Sequence, residues 1–508
     1  MPEQTMILRS EPGIKRDGTK FDGNFYTDGQ WVRFQRGMPR KIGGYKATSK
    51  YLTQISRGFS NFTQMNYIYC HSGSSSTLER FTIDATANSS TITNRTPSTL
   101  ANSSLNMWMF DYQYDSSTSQ NYLLAHVAPN LSCICNDAGG QIFFGEVLGT
   151  GLLSPITLPA GANVTGGIVS LHPYLFYYGT SGIVGWSVPG TPTDLTGSGS
   201  GIARVWGQKI IKGMPLRAGS GTAPAGLFWA YDAVIRATFT GGTTVFQFDT
   251  IATDTSIMSP NGVVDYDGVF FWAGVDRFLM FNGVVREVPN QLNLNYFFDN
   301  VNQRHRTKVF AFKVPHFGEI WWCYPRGDAT ECTHAVIYNV RENTWYDTEL
   351  PANGRAAGSF NNSFAAPILA GAVGSGSDYR VWVQEQGVDD IDGSTINPIP
   401  SWFETADLSS LTSGKNKGLR ITTIEPDFIQ SGPMTVQVTG RANARAPEVY
   451  GSQFEFPETA DQPYEQIVML KEQRRELRVK FESNAVGGNY QMGQIIGHIS
   501  DGDGTVLG

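Results

Sequence analysis

Seven short apolar runs, each too hydrophobic to leave either face in water, limit what this chain can become. They are Asn66–Cys70, Asn121–Leu124, Pro173–Tyr178, Gly226–Trp229, Gly268–Trp272, Glu319–Trp322 and Pro367–Ala370. Runs this short, rich in aromatic and β-branched residues and stopped by turn residues, read as strands. The stretch Gly318 to Leu350 shows the unit. Ile320–Tyr324 is one strand, His334–Val340 a second, and a third begins at Thr344; Pro325–Asp328 and Arg341–Asn343 break the chain between them. Similar second strands follow other runs, as at Gly182–Trp186 and Arg277–Phe281, and Asn282-Gly283 is a hairpin turn signal.

A lone sheet of this size cannot cover its own faces. Sheets stacked around an axis cover one another, which explains why the runs are continuous and do not alternate with polar residues. Their recurrence roughly every 40–55 residues matches propeller blades. The expected fold is all-β: a β-propeller of six or seven blades, the count left open by the irregular, Ser/Thr/Gly-rich stretches 74–120 and 190–225. Helical periodicity is confined to Gln291–Asn302, where Leu294, Phe297 and Val301 share a face.

After Trp402 the pattern changes. Leu419–Ile424 runs toward a turn at Pro426, Met434–Thr439 and Leu477–Phe481 alternate, and Gln491–Ile499 closes the set. This reads as an antiparallel β-sandwich. Residues 1–50 read as an extended basic arm for docking, 51–390 as the propeller and 391–508 as a sandwich platform domain. The chain carries a net charge of −7, yet residues 1–50 carry +5 and the remainder −12. Such asymmetry suits nucleic-acid contact or an arm docking on an acidic neighbour.

No apolar stretch is long enough for a membrane helix, and the first residues lack the apolar core and cleavage site of a signal peptide. The Asn-x-Ser/Thr sequons are then accidents of composition. Five cysteines, Cys70, Cys133, Cys135, Cys323 and Cys332, form no full disulfide framework and read as buried thiols. The seven histidines show no metal-ligand spacing, and no nucleophile elbow or phosphate-cradling loop occurs. Asp390–Gly393 starts like a calcium loop but lacks acids at its first and twelfth positions. Paired acids for glycoside hydrolysis would come from Asp265 with Asp267 or Asp276, which read better as turn caps. Ser375–Asp378 has the wrong spacing for a sialidase-type repeat. The clusters Arg304–Lys308 and Lys471–Glu476 read as solvated faces or subunit contacts. No catalytic, metal or cofactor site is expected.

Three segments carry a resemblance. Pro12–Thr19, Asp28–Phe34 and Gly37–Tyr45 make up the first; Gly318–Trp322 with Tyr338–Trp345 the second; Phe481–Asn484 with Tyr490–Gly493 the third. Together they resemble the tail nozzle family of short-tailed bacteriophages, also called tail tubular protein B or packaged-DNA stabilisation protein. The resemblance implies a non-enzymatic virion protein, made in the host cytoplasm and placed in the tail. It implies a ring of six copies below the portal and adaptor, retaining packaged DNA and forming the conduit for its ejection. Partners would be further copies of the chain, the adaptor or portal-side tail protein and a tail fibre or needle/plug protein. Double-stranded DNA would pass without sequence-specific binding. A conduit should be poor in cations, because each neutralised phosphate adds affinity by counterion release; a body at −12 suits that. The arm is then expected to dock on neighbouring subunits or the adaptor, with Trp31 and Phe34 as apolar anchors and Arg33, Arg36, Arg40 and Lys41 as polar contacts. The competing reading packs these aromatics inside their own subunit. Deleting residues 1–45 is expected to leave a folded body unable to form rings. The alternative functions are a carbohydrate-binding propeller, a host-receptor adhesin or lectin, and a polysaccharide-degrading propeller enzyme; exposed Trp or Tyr at blade tips would favour the first.

Overall fold

A computed structural model describes residues 4–504 apart from 21–22, 85, 87, 102, 104, 130–137, 217–222, 352–353, 374–378, 412–416, 444 and 459–466. The expectations for Cys133, Cys135 and Ser375–Asp378 fall outside the described residues. The chain is a seven-bladed β-propeller joined to a two-sheet sandwich. Six four-stranded antiparallel sheets follow one another, blades 1 to 6, and a seventh is assembled from both ends of the propeller sequence. Each of the seven apolar runs is the second strand of its blade, from Tyr67–Gly73 in blade 1 to Ala366–Gly371 in blade 7. In blade 6 the strands are Phe310–Val314, Glu319–Tyr324, His334–Asn339 and Thr344–Glu349.

The cause of the continuous apolar runs is visible in where neighbouring residues point. Every residue of Glu319–Tyr324 is buried. Trp322 faces blade 5, among Phe278 and Trp345, while Trp321 faces the other way, against Phe312 and Trp31. Phe228 and Trp229 divide likewise between blades 3 and 5. A large apolar cluster fills the space between each pair of adjacent blades, and that between blades 6 and 7 continues into the sandwich. Full burial of such a side chain is worth about 1.5–3 kcal/mol, so the blades hold one another rather than themselves.

The circle is closed by the N-terminal part of the chain. Tyr45–Leu52 is the outer strand of blade 7, antiparallel to Tyr379–Gln384, with Leu52 opposite Tyr379 and Tyr45 opposite Gln384. Arg355–Asn361 packs beside Gly58–Gln64, bringing blade 7 back to blade 1. Asp390–Asp392, the segment with the look of a calcium loop, is instead a strand on the far edge of Tyr45–Leu52, hairpinned to Thr395–Asn397. The helix is shorter than the periodicity suggests, Leu294–Phe298, followed by a 3-10 turn over Gln303–Lys308; Phe297 and Val301 are buried as expected.

The sandwich corrects the domain reading, because Gln4–Leu8, Asp28–Gln30, Val32–Gln35 and Met38–Lys41 are strands of its sheets. One sheet runs Val468–Arg474, Lys417–Ser431, Asn489–Gly504, Met38–Lys41, Val32–Gln35, with Gln4–Leu8 also on Asn489–Gly504. The other runs Asp28–Gln30, Ser401–Glu404, Glu476–Ser483, Met434–Arg441, Val449–Phe456. Arg36 (φ 54°) and Gly37 (φ 76°) form the two-residue turn between Val32–Gln35 and Met38–Lys41, which are antiparallel neighbours. Pro426 ends nothing: the strand passes through it with a register shift between Pro426 and Phe428, opposite Ile495 and Met492. The arm is extended, but not free. It threads between propeller and sandwich because its alternating apolar residues complete sheets that begin some 400 positions later.

Candidate functional site

Between its two stretches in the sandwich, Gln4–Leu8 and the strands from Asp28 onward, the arm crosses blade 6. Gly13, at φ 109°, lies so close that an added Cβ would meet Leu292 Cδ1 at 2.4 Å and Thr344 Oγ1 at 2.5 Å. Thr344 Oγ1 donates to Pro12 O at 2.8 Å. Asp17 accepts from the amides of Asn295 and Tyr296 at 2.9 and 2.8 Å, serving the start of the short helix. Arg16 pairs with Asp347 at 3.0 Å and with Asp28. Lys20 lies 3.6–3.9 Å from Asp28, Glu404 and Glu448. Two of the arm's cations, Arg16 and Lys20, are thus already met by carboxylates of their own chain.

The six residues expected at an assembly interface divide. Trp31 and Phe34 are each 1% exposed, so as anchors they are already used inside the chain. Trp31 stands at 6.0 Å from Trp321 and 6.1 Å from Tyr45 and donates its indole N–H to Gly43 O. Phe34 packs on Tyr26 and Tyr346. The correction has a simple cause: these side chains belong to the apolar cluster that joins blades 6 and 7 to the sandwich, among Tyr26, Tyr45, Trp321 and Tyr346. Arg36 is exposed, while its backbone N–H and that of Gly37 donate to Glu342 at 3.0 and 3.2 Å.

Arg33, Arg40 and Lys41 come together. Arg33 donates to both oxygens of Glu319 at 2.8 and 3.0 Å and to both of Glu385 at 2.5 and 3.0 Å. Glu319 also accepts from Tyr346 Oη at 2.6 Å and Trp321 Nε1 at 2.9 Å. Burial works against the charge on Arg33, but the two carboxylates outweigh it and keep the guanidinium above its ordinary pKa. Its guanidinium carbon lies 3.6 Å from the Phe317 ring centroid. Arg40, half-buried, has no carboxylate of its own among the described residues and donates to Gln35 Oε1 at 2.7 Å. Burial and then the neighbouring Arg33 lower its pKa. Lys41 is 2% exposed and donates to Gly488 O at 2.7 Å; burial pulls its pKa down to about 8 against the pull of Asp389. All three line a cavity of about 310 Å³ at the meeting point of arm, blades 6 and 7 and sandwich.

Glu319, Glu385 and Tyr346 were missed by sequence reasoning. One signal was there: a glutamate opening a wholly apolar strand, as in Glu319-Ile320-Trp321-Trp322, demands a buried cation.

A second cavity, about 260 Å³, lies on the propeller axis, lined from all seven blades. It holds room for about nine water molecules. Its charged walls are Asp111, which burial pushes up and which accepts from Ser170 N at 2.7 Å, and Lys212, which burial pushes down. Asp265 accepts from Gly268 N at 2.8 Å and so caps its turn, and Asp276 pairs with the adjacent Arg277. Trp272, Trp321 and Trp322 are fully buried, so the tryptophans of the apolar runs offer no exposed sugar platform.

Seven stacked four-stranded blades with strand closure define a β-propeller, here carrying a β-sandwich built from both chain ends. Neither a family model nor a curated protein matches the sequence. Similar solved structures include the WD40 β-propeller domain of Doa1, 12% identical, covering 68% of this chain and 98% of that one at TM-score 0.41. The WD40 repeats of RRP9 (7% identity, 68% and 99% covered, TM-score 0.41) and U3-55K (7%, 67% and 98%, 0.40) are others. The likeness concerns architecture alone.

Proposed function

We propose that this chain is a structural, non-enzymatic subunit of a phage tail nozzle: a ring, of six copies on the family's pattern, that retains packaged DNA and forms the conduit for its ejection. The observation that supports this reading is the convergence of the three segments carrying the resemblance. Residues 28–45 touch the blade-6 segment through Arg33–Glu319, Trp31–Trp321 and Gly37–Glu342, and the closing segment through the pairing of Arg40 with Gln491. Stretches more than 280 positions apart in sequence form one connected junction, as a shared structural module requires. On this reading DNA runs between copies and not along the propeller axis, whose cavity has room for a handful of waters. The anionic body presents little to hold phosphates. Adaptor or portal-side protein, and a fibre or plug protein, are the expected partners in the virion.

Electron microscopy of the purified full chain, alone and with its portal-side partner, tests the reading. Closed rings with a central bore wide enough for a duplex are expected in at least the mixed sample. Particles that stay monomeric under both conditions, or rings whose bore binds duplex DNA with a steep salt dependence, would overturn it.

A further inference from the structure

The junction cavity has an unusual composition for a structural void. Arg40 brings a half-buried guanidinium whose only described acceptor is the neutral Gln35 side chain. Lys41, almost wholly buried, spends one donor on Gly488 O and has others to place. Asn489 adds a side-chain amide, its Oδ1 occupied by the backbone N–H of Tyr490 at 2.9 Å and its N–H groups without an acceptor among the described residues. The wall's one carboxylate, Glu385, is already bonded through both oxygens to Arg33. His316 meets Phe317 edge to face beside them. The cavity therefore presents surplus donors and spent acceptors. Glu385 and Asp389 pull on Arg40 and Lys41 from nearby without a described hydrogen bond to either, and a fork-shaped guanidinium beside an ammonium matches a planar or tetrahedral oxyanion.

We infer that this cavity is a binding site for a small oxyanion of the phosphate or carboxylate class, held by Arg40, Lys41 and Asn489. The bound ion would touch the arm, blade 6, blade 7 and the sandwich at once, so its binding fastens the sandwich to the propeller. The site belongs to the single chain and exists whether or not copies assemble into a ring, so it stands apart from the nozzle reading.

The test is a titration of the full chain with inorganic phosphate at constant ionic strength, chloride making up the balance, read by calorimetry and by melting temperature. The expected result is saturable binding of one ion per chain with a rise in melting temperature. Arg40→Gln should weaken it about tenfold or more, the loss of one charge-assisted contact. Asn489→Asp, which keeps the acceptor for Tyr490 N–H but sets a negative charge in the wall, should weaken it as much. In chloride both variants should melt at or above the parent, each lessening the positive charge of the wall. A rise that does not saturate and is shared by both variants reflects exclusion of phosphate from the surface at large and overturns the inference. So does equal affinity in parent and variants, or no heat of binding at all.

Discussion

Arg33 holds both oxygens of Glu319, at 2.8 and 3.0 Å, with the two side chains 1% and 0% exposed. One residue belongs to the sandwich sheet and the other opens the second strand of blade 6, so the bond is a bolt between domains. Removing one partner of a buried pair leaves the other charged and dry, a loss of about 3–5 kcal/mol. Arg33→Met is therefore expected to lower stability by that order, Glu319 and Glu385 being left without their cation. Urea unfolding followed by tryptophan fluorescence measures it. Because Trp31 and Trp321 flank the pair, the variant should also lose cooperativity between sandwich and propeller. A change under 1 kcal/mol with a single unaltered transition would refute the bolt.

The strand Tyr45–Leu52 is held on both sides, by Tyr379–Gln384 and by Asp390–Asp392. A proline there removes a ladder donor in a place that is no longer an edge. Ala47→Pro is expected to lower the melting temperature sharply, since Ala47 stands opposite Trp382 and opening this strand uncovers blade 7. The expectation that a chain lacking residues 1–45 stays folded must also be revised. That deletion removes every arm strand from the sandwich and uncovers Phe403, Tyr490 and Phe428 on its inner face. The truncated chain should aggregate during expression, whereas soluble, full-melting material would show the arm to be dispensable.

What the sequence made legible follows from how each element is buried. All seven second strands could be read because they are covered on both sides and so are apolar throughout. Outer strands such as Thr93–Asn94 and Ser154–Pro155 are short and polar and carry no such mark, and blade 7 takes its outer strand from residues 45–52. The blade count therefore stayed open until the sheets were paired. The arm was misread for a different reason. Trp31-Val32-Arg33-Phe34 is as apt for a partner's groove as for its own core, and the rings it packs on, Trp321 and Tyr346, stand far along the chain. Pro426 looked like a turn, yet a bulge next to it lets the strand continue.

His126 is completely buried, with one ring nitrogen 2.9 Å from Val164 O, and burial lowers its pKa to about 4 from 6.5. The folded chain keeps it neutral while the unfolded chain protonates it. The stability it contributes is present above pH 6.5 and is lost as pH falls toward 4, at up to about 1.4 kcal/mol per pH unit. His126→Gln keeps a side-chain N–H in place and cannot titrate. Between pH 7 and 4.5 it should lose on the order of 2 kcal/mol less than the parent, by urea midpoints at each pH. Parallel losses would mean that His126 is already accessible to protons in the fold.

Lys41 repeats this linkage at the alkaline end. Its folded pKa, about 8 against 10.5 unperturbed, means that the unfolded chain binds more protons than the folded one throughout that interval. Stability linked to this residue must therefore rise as pH climbs from 8 to 10.5, and be flat below 8, where both states are charged. Lys41→Met removes the buried charge and its pH dependence while keeping the stem's volume; it also gives up the bond to Gly488 O, worth about 1 kcal/mol. At pH 7 in chloride the variant should equal or exceed the parent, since a buried ammonium facing mainly a carbonyl is a burden. By pH 10.5 the comparison should have moved in the parent's favour by on the order of 2 kcal/mol. Chemical unfolding of both proteins at pH 7, 9 and 10.5 reads the difference, in which other titrating groups cancel. A difference that stays constant with pH would place the ammonium in water, and would remove Lys41 from the wall of the junction cavity.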